Sequence, residues 1–342
     1  MLFRNLLVRY LNEDPELEVV AVASDPFEAR DKIIQYKPDV MTLDVELPKM
    51  SGIEFLRKLM PQYPLRTVVV STLSDSVFDA LKAGAVDFVA KPVVTDRTQL
   101  EAFVKNELPT KVKVAARARL KSPALNPVLQ QNPAGGKSPG NIAKKTADQT
   151  VIAIGASTGG TEATAEILKG FGDDIPGVLV TQHMPAGFTQ MYAERLDQRS
   201  GLHLKVKEAQ TGDVVRPGLV LIAPGGDCHM ELTRAGGQYQ VVLKKAPKVN
   251  GHCPSVDVLF HSVAREAGAN AIGIILTGMG GDGAKGLLAM KQAGAKTIGQ
   301  DESTCVVYGM PKVAYELGAV DSQEKLSEIP RRTYQLLSQL NK

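Results

Sequence analysis

Apolar positions recur at helical spacing in Met1–Leu11, where Leu2, Phe3, Leu6, Leu7, Tyr10 and Leu11 group together. Short β-branched runs and helical segments then alternate. Val19–Ala23, Val40–Leu43, Thr67–Val70 and Phe88–Val89 predict strands, and Pro26–Tyr36, Ile53–Met60, Val77–Ala83 and Thr98–Leu108 predict the intervening helices. This alternation predicts an α/β fold, a doubly wound parallel sheet with helices on both faces. In such sheets ligand groups collect beyond the carboxyl ends of the strands, and Asp44, Ser71 and Lys91 all fall there. A carboxylate, a hydroxyl and an ammonium at one edge could accept, contact and neutralise a phosphoryl group. They could equally be a surface salt bridge beside a capping serine.

Hydrophobic periodicity fades after Leu120. Pro109–Thr150 holds spaced prolines, Gly135-Gly136 and Gly140, and reads as a flexible or polyproline-like linker. From Val151 the alternation resumes. Strands are predicted at Val151–Ile154, Val178–Thr181, Leu204–Lys207, Val220–Ala223, Ala271–Leu276 and Thr297–Gly299, with a hairpin pairing Met230–Leu232 and Tyr239–Lys244. Helices are predicted at Glu162–Leu168, Phe188–Arg199, Val256–Ala267, Ala284–Ala293 and near Lys312–Leu317. The domains read as 1–108, a linker 109–150 and a second, mostly parallel α/β domain 151–342.

Composition narrows the function classes. The 342 residues suffice for two ordinary cores, and 44% hydrophobic with 23% charged content argues against wholesale disorder. The net charge of +3 is local: Lys105–Thr150 carries nine Lys/Arg against Glu107 and Asp148, so the rest of the chain is acidic. No general nucleic-acid-binding surface is indicated. Cys228, Cys253 and Cys305 are widely spaced and odd in number, which predicts reduced thiols in a cytoplasmic protein. No run of about 18 apolar residues exists, so direct membrane insertion is not expected.

The stretch VIAIGASTGG organises the candidate chemistry. A strand runs into a glycine-rich turn that either cradles a phosphate or presents Ser157 as a nucleophile. Its spacing matches neither the dinucleotide fingerprint nor the P-loop. His183 follows VLVTQ, and Asp282 follows a strand in IGIILTGMGGDG. Three strand ends thus deliver a nucleophile, a base that titrates near neutrality, and a carboxylate to orient it. The bland reading is a structural histidine and a helix-capping aspartate. Glycines around Met279 leave backbone N–H groups free for an oxyanion. His229 and His252 lie in loops without carboxylate or cysteine at metal-ligand spacing, so no metal is assigned there.

Two resemblances sharpen this picture. Residues from about Pro15 to Pro92 resemble a response-regulator receiver domain through TLDVELPKMSGIEFL, the VVVST strand end and GAVDFVAKP. The resemblance implies a flavodoxin-like sheet in which Asp44 is the phospho-acceptor and Ser71 the hydroxyl that responds to phosphorylation. It also makes Phe88 the aromatic switch and Lys91 the partner of the acyl phosphate. Receivers open with a strand ending in an acidic pair that holds Mg²⁺, whereas this chain opens inside the first helix. That strand belongs in mid-sheet, where its loss leaves pairing groups on both neighbours. The expectation is a receiver lacking its first strand, with a true start upstream of Met1 favoured. Asp44 and one backbone carbonyl near Glu46 make a poor Mg²⁺ site.

The second resemblance spans about Thr150–Ala319. IGASTGGTEA, TQHMPAGFT, PSVDVLFHSVA, ILTGMGGDGAKGL and QDESTCVVYGMPKVA are similar to the chemotaxis protein-glutamate methylesterase (CheB) family. It implies hydrolysis of glutamate γ-methyl esters, and deamidation of glutamines, on methyl-accepting chemotaxis receptors. It further implies a Ser157, His183, Asp282 triad, an oxyanion donor at the Met279 N–H, and Thr158 shaping the nucleophile's surroundings. Catalysis would need no cofactor. A chemotaxis histidine kinase would phosphorylate Asp44 and lift inhibition by the receiver. The alternative from another class is a non-catalytic response regulator whose second domain only binds a partner; nucleotide binding is a third reading.

Overall fold

The computed structural model describes residues 2–72, 76–92, 97–120, 142–199 and 201–340. The chain divides into two compact units, 1–132 and 133–342. Half of the predicted linker, 121–141, lies outside the described residues.

In the first unit, α1 (Leu2–Leu11) and α2 (Pro26–Tyr36) precede β1 (Val40–Asp44), α3 (Gly52–Leu59), β2 (Arg66–Ser71), α4 (Ser76–Lys82) and β3 (Asp87–Ala90). The three strands form one parallel sheet in the order β1-β2-β3. Asp25 caps α2 by accepting the Phe27 and Glu28 N–H groups, and Ser51 caps α3 through the Glu54 N–H. Val68, Val69 and Val89 are fully buried, as strands covered on both faces require.

The strand expected at Val19–Ala23 does not form. A strand exists only by pairing, and among the described residues none pairs with this stretch or with the outer edge of β1. Side chains serve its backbone instead. The Val19 N–H donates to Asn12 Oδ1 at 2.8 Å, and the Val22 and Ala23 carbonyls accept from Lys32 and Arg4.

The final helix also runs on beyond its expected end. α5 (Arg97–Ala102) continues through a π-helical turn, Phe103–Glu107, into α6 (Leu108–Ala116). Pro109 cannot donate an N–H, and its ring crowds the preceding turn of a regular helix; the wider turn, with the Leu108 N–H on the Phe103 carbonyl, accommodates it. Residues 109–116, read from sequence as linker, thus pack as helix. Val112, Val114 and Ala115 are buried, and Arg66 Nε donates to the Ala118 carbonyl at 2.8 Å. At the other end of that linker, α7 (Lys144–Gln149) leads into the second unit.

The second unit is built on a seven-stranded parallel sheet. Its elements are β4 (Val151–Ala156), α8 (Gly160–Lys169), β5 (Gly177–Gln182), α9 (Phe188–Asp197), β6 (Lys205–Glu208), β7 (Leu219–Ile222), β8 (Cys228–Ala235), β9 (Gln238–Lys245), α10 (Val256–Glu266), β10 (Ala271–Ile275), α11 (Ala284–Gln292), β11 (Lys296–Gln300), α12 (Met310–Glu316), β12 (Ser322–Glu324) and α13 (Ile329–Gln339). The strand order is β12-β11-β10-β4-β5-β7-β6, and β8-β9 form a separate antiparallel ribbon. Val151, Ala153 and Leu179 face a core made with Phe260, Leu287, Met310 and the ribbon's Met230 and Val241. Ile152 and Ile154 alternate to the opposite face, where α8, α9 and α13 lie. The chain builds outward from β4 in one direction and then returns to start β10 on the other side of it. The crevice for a ligand therefore opens between the carboxyl ends of β4 and β10.

Candidate active site

Ser157 stands one residue past β4, His183 one residue past β5, and Asp282 seven residues past β10; these three strands are adjacent at the sheet centre. The His183 N–H donates to the Ala156 carbonyl at 3.1 Å, and the Ser157 N–H to the Thr277 carbonyl at 3.1 Å. Buried Gln182 adds its amide, donating to the Ser157 carbonyl at 2.8 Å and the His183 carbonyl at 3.3 Å. Backbone and carboxamide thus fix the three loop starts against one another.

Glycines let the loops close up. A Cβ on Gly278 would lie 2.7 Å from Ser157 Cβ and 2.3 Å from Met310 Sδ, so only glycine permits this approach. Gly159, at φ +76°, turns the chain into α8 against Val306. Thr158 is buried, and its carbonyl accepts the Thr277 hydroxyl at 3.0 Å. Met279 is 40% exposed, and its N–H donates to no acceptor among the described residues.

His183 Nε2 lies 2.8 Å from Asp282 Oδ2, with both side chains almost wholly buried. Asp282 is heavily solvated by protein donors. Its Oδ2 also accepts the Val256 N–H at 2.7 Å, while Oδ1 accepts Ser255 Oγ at 2.7 Å, Asn250 Nδ2 at 2.8 Å and the Asp257 N–H at 3.3 Å. The carboxylate therefore sits on the N-terminus of α10, where helix N–H groups favour a negative charge. Burial pushes its pKa up, but donors led by His183 and Asn250 outweigh burial and hold it well below the usual carboxylate range. An ionised Asp282 requires the proton on Nε2, which leaves a lone pair on Nδ1. That Nδ1 is buried without a hydrogen-bond partner, and Ser157, itself buried, stands at the end of the adjacent strand. An unpaired basic nitrogen and a hydroxyl at adjacent strand ends suit proton transfer between them.

Comparisons with known proteins show the family. The CheB methylesterase family model matches residues 152–333, and the response regulator receiver domain model matches residues 1–105. The chain belongs to the CheB methylesterase family. It is 59% identical over 341 residues to a protein-glutamate methylesterase/protein-glutamine glutaminase 2 from Syntrophomonas wolfei, covering 99% of this chain and 96% of that protein. A protein-glutamate methylesterase/protein-glutamine glutaminase from Syntrophotalea carbinolica is 51% identical over 343 residues, covering 99% and 95%. The crystal structure of the Thermotoga maritima CheB methylesterase catalytic domain is similar with a TM-score of 0.52 at 39% identity, covering 56% of this chain and 98% of that one.

In this family member the receiver edge also assembles. Lys91 Nζ pairs with Asp44 Oδ2, and the Lys91 N–H donates to the Ser71 carbonyl at 2.7 Å. Ser71 and Phe88 are buried on neighbouring strands. The receiver family uses Mg²⁺ in phosphorylation. The residues described here do not make a Mg²⁺ site: no three His, Cys, Asp or Glu side chains converge, and the Asp44 carboxylate is taken up by Lys91 and the Glu46 N–H.

Three contributors to the candidate site lie outside the sequence reading. Val249 and His252 exchange backbone hydrogen bonds around Asn250-Gly251, a tight hairpin turn with both φ angles positive. That turn aims Asn250 at Asp282 and lays His252 flat on His183, with ring centroids 3.7 Å apart and planes 7° from parallel. Ser255, at the N-cap of α10, gives its hydroxyl to Asp282. The Asn-Gly dipeptide was the available signal. His229 is structural: it is buried, its Nδ1 accepts the Ser255 N–H at 3.1 Å, and its Nε2 donates to the Pro247 carbonyl at 3.0 Å.

Proposed function

We propose that this chain hydrolyses glutamate γ-methyl esters on methyl-accepting chemotaxis receptors, releasing methanol, and deamidates receptor glutamines by the same route. The activity named for a relative 59% identical along nearly the whole chain supports the reaction class. The buried His183–Asp282 pair, with an unpaired Nδ1 at the strand end next to that of Ser157, supports the mechanism.

Ser157 Oγ attacks the ester carbonyl carbon as its proton passes to His183 Nδ1. Asp282 stabilises the resulting imidazolium through Nε2–H. Negative charge moves to the carbonyl oxygen, where the Met279 N–H donates; one such donor is typically worth about 3 kcal/mol. His183 then protonates the departing methoxide, methanol leaves, and the acyl group remains on Ser157. Water, deprotonated by His183, cleaves that acyl-enzyme to free glutamate. With a glutamine substrate the leaving group is ammonia and the remaining steps are unchanged. Thr158 supports the turn that carries Ser157.

The Asp44, Ser71, Lys91 and Phe88 cluster supports control of this activity by phosphorylation from a chemotaxis histidine kinase. The reading places the protein in the cytoplasm; no helix among the described residues is long and apolar enough to cross a membrane. Methanol release from methylated receptor tests the proposal. Ser157→Ala should lower it by several orders of magnitude while the fold survives. Undiminished release would exclude the mechanism, and a wild-type protein that binds methylated receptor without releasing methanol would favour the non-catalytic alternative.

A further inference from the structure

Asp282 is not the only buried carboxylate at this end of the sheet. Asp257, in the first turn of α10, is 4% exposed, and Asp282 is 2% exposed. Both face Asn250. The Asn250 Nδ2 group donates to Asp257 Oδ2 at 2.7 Å and to Asp282 Oδ1 at 2.8 Å. Both acceptors are carboxylates, so the NH₂ end of the amide must face them, with its two hydrogens divided between the two acids. Asn250 occupies the left-handed region, φ 52°, followed by Gly251 at φ 82°. Asparagine tolerates that conformation better than other side chains of its size, so turn and side chain select the same residue.

Two like charges sharing a buried site repel each other unless a donor is placed between them. Asp282 keeps four other donors if Asn250 is lost: His183, Val256 N–H, Ser255 Oγ and Asp257 N–H. Asp257 keeps the Gly286 N–H at 2.6 Å. The other groups around the pair cannot replace the amide. His183 is committed to Asp282, His252 stacks on His183, and His229 from β8 accepts from Ser255. Lys285, beside Gly286 on α11, points its charge to solvent as an exposed residue.

We propose that Asn250 is a positioning residue of the esterase: its one amide bridges the two buried carboxylates and fixes their spacing, so that Asp282 stays in line with His183. Without the bridge the two acids repel each other across the emptied space. Asp282 then turns away from His183, and the imidazolium formed during catalysis loses a well-placed counter-charge.

The inference rests on the esterase reading, and its test separates the two. Asn250→Gly removes the amide while suiting the positive φ, so the turn is retained; thermal unfolding checks that the fold is intact. The expected result is a fall in kcat of about ten- to a hundredfold at neutral pH, with KM little changed. Adding Asp257→Asn to Asn250→Gly removes the like charge and should restore most of kcat. A loss that falls on KM rather than kcat, or one that Asp257→Asn does not restore, would overturn the proposal. Ester hydrolysis retained in Ser157→Ala would instead overturn the esterase reading itself.

Discussion

Gly278 shows how little room the nucleophile has. Its missing side chain is what lets the β10 loop lie against Ser157 and Met310. Gly278→Ala should destabilise the second unit by about 1–3 kcal/mol, the usual range for overpacking. It should also lower esterase activity more than tenfold by displacing Ser157, since about 1 Å of misplacement can cost about a hundredfold. Gly212→Ala is the comparison: φ is +92° there, but nothing lies within 4 Å, so strain is its only penalty and activity should hold. Equal activity loss in both variants would show that contact with Ser157 is not the reason for glycine at 278. Ser157, His183 and Asp282 were legible in the sequence because each follows a strong apolar run at a strand end. Asn250 and His252 were not, because they lie in an irregular segment whose only local mark is Asn-Gly. Nothing in their spacing says that the turn folds back over α10.

Asp282 also shows how two readings of one residue can both hold. An aspartate in a glycine-rich turn suggests a helix cap, and Asp282 does cap a helix, though not the one that follows it. α11 has Gly283 at its N-cap and no side-chain cap, while Asp282 accepts the Val256 and Asp257 N–H groups of α10. Ser255, the formal N-cap of α10, turns its hydroxyl to Asp282 instead. The catalytic candidate and the helix terminus therefore stabilise each other. Folding lowers the pKa of Asp282, so its contribution is fully present above the unfolded value of about 4 and is lost as pH falls below it. Asp282→Asn should unfold at a lower temperature than wild type near pH 7, and the gap should close as the pH is taken below about 4. A gap that stays constant into acid would show that folding does not hold this carboxylate ionised. The same variant should lose activity by about 10⁴-fold, because a neutral amide cannot serve the imidazolium. The elements that sequence reading misjudged have equally local causes. Val19–Ala23 has strand composition but no partner, and 109–116 has linker-like Pro109 but buries Val112 and Val114. α13 went unpredicted although Ile329, Tyr334 and Leu337 give it an apolar face.

At the scale of the whole chain, two sheets of the same class hold different chemistry at their carboxyl edges. The first unit gathers a carboxylate, an ammonium and a serine, suited to taking a phosphoryl group; the second gathers a hydroxyl, an imidazole and a carboxylate, suited to acyl transfer. Joined in one chain, the first can govern the second only through an equilibrium that phosphorylation biases. The bias need not be large: about 1.4 kcal/mol changes the active fraction up to tenfold while that state is rare. Asp44→Asn removes the acceptor oxygen chemistry yet leaves every residue of the esterase edge untouched. Methanol release by Asp44→Asn should therefore equal the basal rate of wild type and stay there when the kinase and ATP are added, whereas wild type should rise. Lys91→Ala should respond weakly or not at all, because the ammonium that pairs with Asp44 is gone. If Asp44→Asn still rises with kinase, the phosphoryl group acts elsewhere and the Asp44–Lys91 pair is only a surface salt bridge. If wild type fails to rise although its triad is active, the second unit works as an esterase without control from the first.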